Sequence, residues 1–278
     1  MRALAVGADV IVFVSRVWQT TCTAVRAGGE GFVIDSPVYP DELEALPSIL
    51  EQAGFPVSGL LVTHADWDHL LGRLGWPDAA LGCGETTAAR LQAEPGEAQR
   101  QLRAFDEEHY VQSRAPLALG AIQRLPVPGH LSIGAERELE LHPAGGHTAD
   151  GTAFWLPWAH VLVCGDYLSP VEIPMLSDGG SVAGYEATLT RLRPLVAAAQ
   201  TVIPGHGMPL DSDRALRLLE EDASYVAALG AGEPGTQLPP GRRTAAQKRI
   251  HQQNLKGPRV SRRPASEIEA GRRAQTSS

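Results

Sequence analysis

The sequence predicts an α/β protein made of two halves that pack face to face. Strands followed by helices occur twice along the 278 residues, without an internal repeat at the residue level. Residues 57–63 form an apolar run of the kind that is buried inside an α/β layer. Short motifs that combine glycine with His or Asp follow several predicted strands, and functional loops gather at the carboxyl ends of strands. Together these observations favour one large domain with its functional loops at strand ends.

The first half begins with strands that are rich in β-branched residues. They are predicted over residues 10–15, 22–26 and 31–35, with a hairpin turn at AGGEG between the last two. Residues 41–53 predict an amphipathic helix, because Leu43, Leu46, Ile49 and Leu50 fall on one face. Gly54 is the expected stop signal of that helix, and the apolar strand over 57–63 follows.

The second half repeats the order of strands and helices. Strands are predicted over 79–83, 122–127, 137–142, 152–156, 160–164 and 201–204. Helices are predicted over 85–92, 96–112, 185–199 and 212–229. The stretch GAGEPGTQLPPG (230–241) has the composition of a linker. We therefore expect a domain over 1–230, followed by a linker and basic tail over 231–278 that is either poorly packed or forms one helix.

Charge and composition limit the classes of partner. Residues 241–278 hold ten Lys or Arg and two acidic residues, whereas the whole chain has a formal net charge of −8, so the body is strongly acidic. An acidic body argues against nucleic acid as the main partner, because phosphates would be repelled. No apolar run approaches the ~20 residues that span a bilayer, so no membrane association is expected. A small-molecule substrate is the expected partner, and the oligomeric state is left open.

The cysteines point to a reducing compartment. Cys22, Cys83 and Cys164 are far apart and form no CxxC pair. The apolar start of the chain is interrupted by Asp9, and no convincing cleavage site follows it. We therefore expect a cytoplasmic protein.

The stretch VTHADWDHLLG places four metal-binding side chains within six positions after an apolar strand. They are His64, Asp66, Asp68 and His69. Two carboxylates this close repel each other unless a cation lies between them. Metal binding is therefore the more economical interpretation of the cluster, and it predicts further ligands elsewhere in the chain.

Three further motifs supply such ligands next to glycine at the ends of predicted strands. GGHTADG contains His147, CGDYL contains Asp166 and PGHG contains His206. Taken singly, His206 could be a hydrogen-bonded surface residue, Asp166 a turn cap and Asp68 the N-cap of a helix. Taken together, seven nitrogen and oxygen ligands without a thiolate suit two metal ions that share one bridging carboxylate.

The ordered motifs THADWDH, GGHT, CGD and PGHG resemble those of the metallo-β-lactamase superfamily over about residues 5–230. The resemblance implies a four-layer αββα sandwich of two mixed β-sheets, with a dinuclear metal site along one edge. It assigns His64 and His147 to the first metal and Asp166 to a bridging position. It assigns Asp68, His69 and His206 to the second metal.

Asp66 is a departure from the common HxHxDH pattern of that superfamily, because it stands where the second His is usual. The first subsite would then have two His and one Asp, which suits Zn, Fe or Mn. Two divalent ions are expected, with Zn favoured. Substituting Asp66 by His would restore the common pattern, and zinc affinity is then expected to hold or rise.

The resemblance implies a metal-dependent hydrolase in which a metal-bound hydroxide cleaves an ester, thioester, lactone or phosphoester. Asp68 would orient the nucleophile as well as bind metal, and Trp67 and Tyr167 are candidate residues of the substrate pocket. Two alternatives remain open. One is an iron-dependent oxidoreductase of the same fold, either persulfide dioxygenase-like or diiron, and the other is a non-catalytic metal-bound sensor.

Overall fold

The computed structural model describes residues 1–233 and 235–257, which contain two β-sheets. The first sheet has seven strands, arranged in chain order. They are β1 (Arg2–Ala5), β2 (Val10–Val14), β3 (Thr21–Ala27), β4 (Glu30–Asp35), β5 (Gly59–Val62), β6 (Ala80–Gly84) and β7 (Ile122–Leu125). Strands β1 to β4 pair antiparallel, and β4 to β7 pair parallel, so the sheet is mixed.

The second sheet has five strands in the order β12-β11-β10-β9-β8. They are β8 (Gly129–Ile133), β9 (Arg137–Pro143), β10 (Thr152–Leu156), β11 (Val161–Val163) and β12 (Thr201–Ile203). Only β11 and β12 pair parallel, and the other neighbours are antiparallel. This sheet is therefore mixed as well.

Two strands differ from the sequence-based expectation. The chain begins with β1, so the prediction that residues 10–15 form the first strand is wrong. Strand β8 was not predicted either. Both lie at a sheet edge and bury few of their side chains, and so they lack the strong apolar pattern that identifies a buried strand.

The helices of the described residues flank the sheets. They are α1 (Pro40–Gln52), α2 (Gly72–Gly75), α3 (Glu85–Ala93), α4 (Glu97–Glu108), α5 (Val182–Ala198), α6 (Ser212–Gly230) and α7 (Ala245–Leu255). Helix α4 ends at Glu108, four residues before the predicted end, and Tyr110 adopts a left-handed φ of 54°. Within residues 1–233 and 235–257, no helix has both the length and the apolarity that crossing a membrane requires.

Three apolar clusters define four layers. Side chains from both sheets, including Ile34 and Leu61 of the first and Phe154 and Val163 of the second, form the cluster between the sheets. A second cluster joins the outer face of the first sheet to α1 and α4. A third joins the outer face of the second sheet to α5 and α6. The predicted αββα sandwich is therefore confirmed.

The loops that carry the motifs meet at one edge of this sandwich. The Thr152 N–H donates to the Thr63 carbonyl at 2.8 Å, and the Thr21 N–H donates to the Gly205 carbonyl at 2.8 Å, so both contacts join the two sheets there. Gly205 is required at its position, because a Cβ would overlap the Asp166 carboxylate. The backbone thus brings strand ends of both sheets to one small region.

Residues 258–278 lie outside the described part of the chain, so most of the predicted basic tail does too. The boundary predicted near residue 230 stays a prediction. Helix α7 lies beyond that boundary.

Candidate metal centre

The structure brings all seven predicted ligands together at the shared edge of the two sheets. Their ligand atoms form three groups, and within each group the atoms lie within 4.8 Å of one another. The groups are His64 with Asp66 and His147, His64 with His69 and Asp166, and Asp68 with His69 and His206. Each group has donors that could hold a metal ion.

Asp166 lies between two pairs of histidines. Its Oδ2 is 3.7 Å from Nε2 of His64 and 3.4 Å from Nε2 of His147. Its Oδ1 is 3.2 Å from Nε2 of His69 and 3.4 Å from Nε2 of His206. One carboxylate therefore offers one oxygen to each pair, which is the geometry of a bridging ligand.

A second carboxylate completes each pair of histidines. Oδ2 of Asp66 is 3.7 Å from Nε2 of His64 and 3.3 Å from Nε2 of His147. Oδ2 of Asp68 is 3.7 Å from Nε2 of His69 and 3.5 Å from Nε2 of His206. The result is two adjacent sets of two imidazoles and one carboxylate. We call the set with Asp66 the first subsite and the set with Asp68 the second subsite.

All four imidazoles point Nε2 towards the subsites because their Nδ1 atoms are held from behind. Nδ1 of His64 lies 3.0 Å from Thr63 Oγ1, and Nδ1 of His69 lies 3.0 Å from Asp35 Oδ2. Nδ1 of His147 lies 2.8 Å from the Met175 carbonyl, and Nδ1 of His206 lies 3.2 Å from the Trp18 carbonyl. A hydrogen bond at the outer nitrogen leaves Nε2 free as a ligand and orients the ring.

Several inward-facing atoms lack another partner among the described residues. Nε2 of His64, Nε2 of His69 and Oδ1 of Asp166 are buried and form no hydrogen bond. A buried polar atom without a partner costs about 1–3 kcal/mol, so such atoms call for a ligand. The sulfur of nearby Cys164 donates to the carbonyls of Tyr167 and Ile203 and does not join this set. The donors are thus imidazole and carboxylate, and they fit a divalent metal ion.

The carboxylates strongly perturb the histidines of the metal-free centre. Burial alone would lower the pKa of His147, but hydrogen bonding to Asp66 and the charge of Asp166 outweigh it and raise the pKa to about 9. Burial opposes protonation of His206 too, yet the charges of Asp166 and Glu172 raise its pKa to about 10. In the absence of metal, these imidazoles therefore hold protons that a cation would displace.

Asp35 is a supporting residue that the sequence analysis missed. It ends β4, adopts a left-handed φ of 59° and is buried. Its carboxylate accepts from the Thr63 N–H at 2.8 Å and the Thr63 hydroxyl at 2.9 Å, in addition to its contact with His69. The sequence signal that could have identified Asp35 is an Asp at the carboxyl end of an apolar strand. Asp166 was found from a similar position after a strand.

Arg90 and Asp150 were missed as well. One guanidinium nitrogen of Arg90, on α3, lies 2.8 Å from Oδ1 of Asp66 and 3.0 Å from Oδ1 of Asp150. The other oxygen of Asp150 accepts from the Ala65 N–H at 2.9 Å. Asp150 lies within the GGHTADG motif, three residues after the ligand His147, so the motif itself pointed to this position. Nothing in the sequence around Arg90 indicates its role.

Two aromatic side chains pack against Trp67, which lies between the ligands Asp66 and Asp68. The ring of Trp67 is 5.7 Å from that of Trp18 and 5.0 Å from that of Phe105, measured between centroids. Trp18 remains 46% exposed and Phe105 is buried, so Trp18 and Trp67 form an apolar surface over Phe105, next to the second subsite. Trp67 therefore has a position compatible with its predicted place in a substrate pocket.

Tyr167 has a different environment from Trp67. Its side chain is buried, with 2% exposure, and its hydroxyl donates to the Gly145 carbonyl at 2.9 Å. The same hydroxyl accepts from the His147 N–H at 3.1 Å. These contacts join the Tyr167 hydroxyl to the backbone of the His147 loop, and its place in a substrate pocket stays a prediction.

The C-terminal segment supports the loop over 169–176, which carries Met175. Arg242 donates to the carbonyls of Ser169 at 3.2 Å and Glu172 at 2.9 Å. From α7, Gln247 accepts from the Ile173 N–H at 2.8 Å. Asn254 lies two turns further along α7. Its Oδ1 accepts from the Leu176 N–H at 3.0 Å, and its Nδ2 donates to the Pro174 carbonyl at 2.7 Å. Helix α7 therefore braces the loop behind His147.

The chain is similar to known proteins in its sequence and in its fold. The model of the family described as the metallo-beta-lactamase superfamily matches residues 15–206. A metallo-beta-lactamase family protein from Thermus thermophilus is similar in structure, with a TM-score of 0.62, 21% identity and coverage of 82% of this chain and 83% of that chain. The metallo-beta-lactamase DIM-1 has a TM-score of 0.57 and 20% identity, with coverage of 82% of this chain and 97% of that chain. A metallo-beta-lactamase from Pontibacter korlensis has a TM-score of 0.55 and 19% identity, with coverage of 79% of this chain and 98% of that chain. At such identities, these structures show a shared fold.

Proposed function

Because the chain belongs to the metallo-beta-lactamase superfamily, we propose that it is a metal-dependent hydrolase and that the candidate metal centre is its active site. The observation that carries this proposal is the position of Asp166, whose two oxygens face two separate pairs of histidines. A structural salt bridge would not need both oxygens directed at four imidazoles that are oriented from behind. Two neighbouring cations account for the arrangement.

The proposed ligands follow the two subsites. His64, Asp66 and His147 would hold the first ion, whereas Asp68, His69 and His206 would hold the second, with Asp166 shared between them. Imidazole with carboxylate suits zinc, which we propose as the resident metal, and it also accepts iron or manganese.

When bound, a pair of divalent ions supplies Lewis acidity, which activates water and polarises the substrate oxygen. The protein would contribute orientation and charge. Asp68, whose side chain is 10% exposed, would orient the attacking water from the second subsite. The aromatic surface of Trp18 and Trp67, which pack on Phe105, would contact an apolar part of the substrate. We propose an ester, thioester, lactone or phosphoester as the bond that is cleaved.

A second candidate is an iron-dependent oxidoreductase of the same fold. The observation that favours it is Asp66, because a carboxylate in place of an imidazole makes the first subsite a harder ligand set. The two candidates differ in the metal that supports turnover and in whether oxygen is consumed.

We also propose a cytoplasmic location and a small-molecule substrate. Cys22, Cys83 and Cys164 are all buried free thiols, which fits a reducing compartment.

Metal analysis combined with a hydrolysis panel tests the proposed function. We expect the purified protein to hold two divalent ions per chain and to hydrolyse at least one ester, thioester, lactone or phosphoester. Chelation should abolish the activity, and zinc should restore it. His206→Ala should lower both metal content and turnover, whereas Asp178→Asn, at an exposed position, is the matched control. A wild-type protein that takes up no metal would refute the proposal, and oxygen consumption with iron would favour the oxidoreductase.

A further inference from the structure

Asp66 adds a negative charge to the first subsite relative to the pattern with three histidines, and Arg90 lies directly against it. The guanidinium of Arg90 is 2.8 Å from Oδ1 of Asp66, while Oδ2 of the same carboxylate faces His64 and His147. The carboxylate therefore has one oxygen in an ion pair and presents the other to the subsite. In this respect it resembles a histidine, which presents a single nitrogen.

Arg90 is itself held in place by a second carboxylate. The side chain of Asp150 is only 1% exposed, and its Oδ1 is 3.0 Å from the guanidinium nitrogen that contacts Asp66. Its Oδ2 accepts from the N–H of Ala65, the residue between His64 and Asp66. Asp150 thus fixes both the motif backbone and the arginine that faces the motif. An arginine keeps its charge at any pH of interest.

We propose that Arg90 is a positioning residue of the first subsite and that Asp66 and Arg90 act as a matched pair in place of one neutral histidine ligand. This inference rests on the proposed function, because it concerns the same metal centre. The positive charge of Arg90, which Asp150 and Glu94 share, offsets part of the extra negative charge that Asp66 brings to the subsite. Its ion pair also fixes which carboxylate oxygen points inward.

The pairing reverses an expectation from the sequence. Asp66→His restores the common motif, and on that basis alone zinc affinity should hold or rise. In this structure, the substitution removes the carboxylate that lies between Arg90 and the first subsite, so the guanidinium, still held by Asp150, would face a divalent cation directly. We therefore expect Asp66→His to weaken zinc binding at the first subsite by about tenfold or more, the scale of changes around metal ligands.

A double-mutant cycle tests this coupling. The variants are Asp66→His, Arg90→Gln and the combination, with zinc affinity and stoichiometry measured by competition with a chromophoric chelator. Gln removes the charge but keeps a donor for Asp150. The combination should recover most of the affinity that Asp66→His loses. Asp66→His with Arg90→Lys should stay weak, because Lys retains the charge. Arg100→Gln, at an exposed ion pair on α4, is the control.

The cycle separates the possible failures. If Asp66→His changes first-subsite affinity equally with and without Arg90→Gln, the matched pair is refuted while the proposed function stands. If the wild type binds no zinc, the proposed function fails and this inference fails with it. Thermal denaturation of the chelator-treated variants identifies any that do not fold, and if Arg90→Gln is among them, Arg90→Ala takes its place in the same comparison because it also removes the charge.

Discussion

Asn254 on α7 is expected to stabilise both the protein and the first subsite, although it lies far from the ligands in sequence. It is buried, and its Nδ2 donates to the Pro174 carbonyl at 2.7 Å and to the Tyr225 hydroxyl at 3.1 Å. Its Oδ1 accepts from the Leu176 N–H at 3.0 Å. Asn254→Ala leaves the Pro174 carbonyl and the Leu176 N–H, two backbone groups of the loop over 169–176, without their side-chain partner. At about 1–3 kcal/mol for each orphaned group, and with partial rehydration, the loss should be about 2–4 kcal/mol of the free energy of unfolding.

The same substitution should reach the metal centre through the loop. Met175 lies between the two backbone groups that Asn254 binds, and its carbonyl accepts from Nδ1 of His147 at 2.8 Å. A loosened loop would orient the imidazole less well, so zinc affinity at the first subsite should fall by about tenfold.

Urea denaturation of the metal-free protein measures the first effect, and zinc competition measures the second. Gln253→Ala is the matched control, because Gln253 lies on the exposed face of the same helix and should change stability by less than about 0.5 kcal/mol. Hydrogen exchange of residues 169–176 locates the change. If Asn254→Ala unfolds at the same urea concentration as Gln253→Ala and binds zinc equally well, α7 does not brace this loop.

Three further changes have expected outcomes. Asp35→Asn should weaken zinc binding about 10–100-fold in a competition assay, because an amide cannot accept at both positions and leaves His69 poorly oriented; unchanged affinity would contradict this role. In the metal-free protein, the pKa values of His147 (about 9) and His206 (about 10) lie above the ordinary value of 6.5. Their contribution to stability is therefore complete below about pH 6.5 and is lost as the pH rises through 9 to 10, so the Tm should fall over that interval, and a flat Tm profile would argue against charged imidazoles. Deleting residues 258–278 should leave metal content and turnover near normal, whereas a large loss of either would show that the tail helps to build the site.

The fold class and the candidate ligands could be predicted because their signals are local. Each of the seven ligands lies within a short motif that follows a strand, and strand ends converge at one edge of a sheet. The edge strands β1 and β8 were missed because exposed strands carry little apolar pattern. Arg90 was missed for another reason: it looks like any helical surface arginine, and its partner Asp150 is 60 residues away.

The sequence by itself determined which side chains could meet and which family of folds would bring them together. Only the tertiary structure decided which oxygen of Asp166 faces which histidines, how the outer nitrogens of the imidazoles are held, and that Asp66 is paired with an arginine. The physical reason is that side-chain direction depends on hydrogen bonds and packing between distant segments. Periodicity and motif spacing describe neighbours along the chain, whereas the charge and geometry of a metal centre are set by neighbours in space.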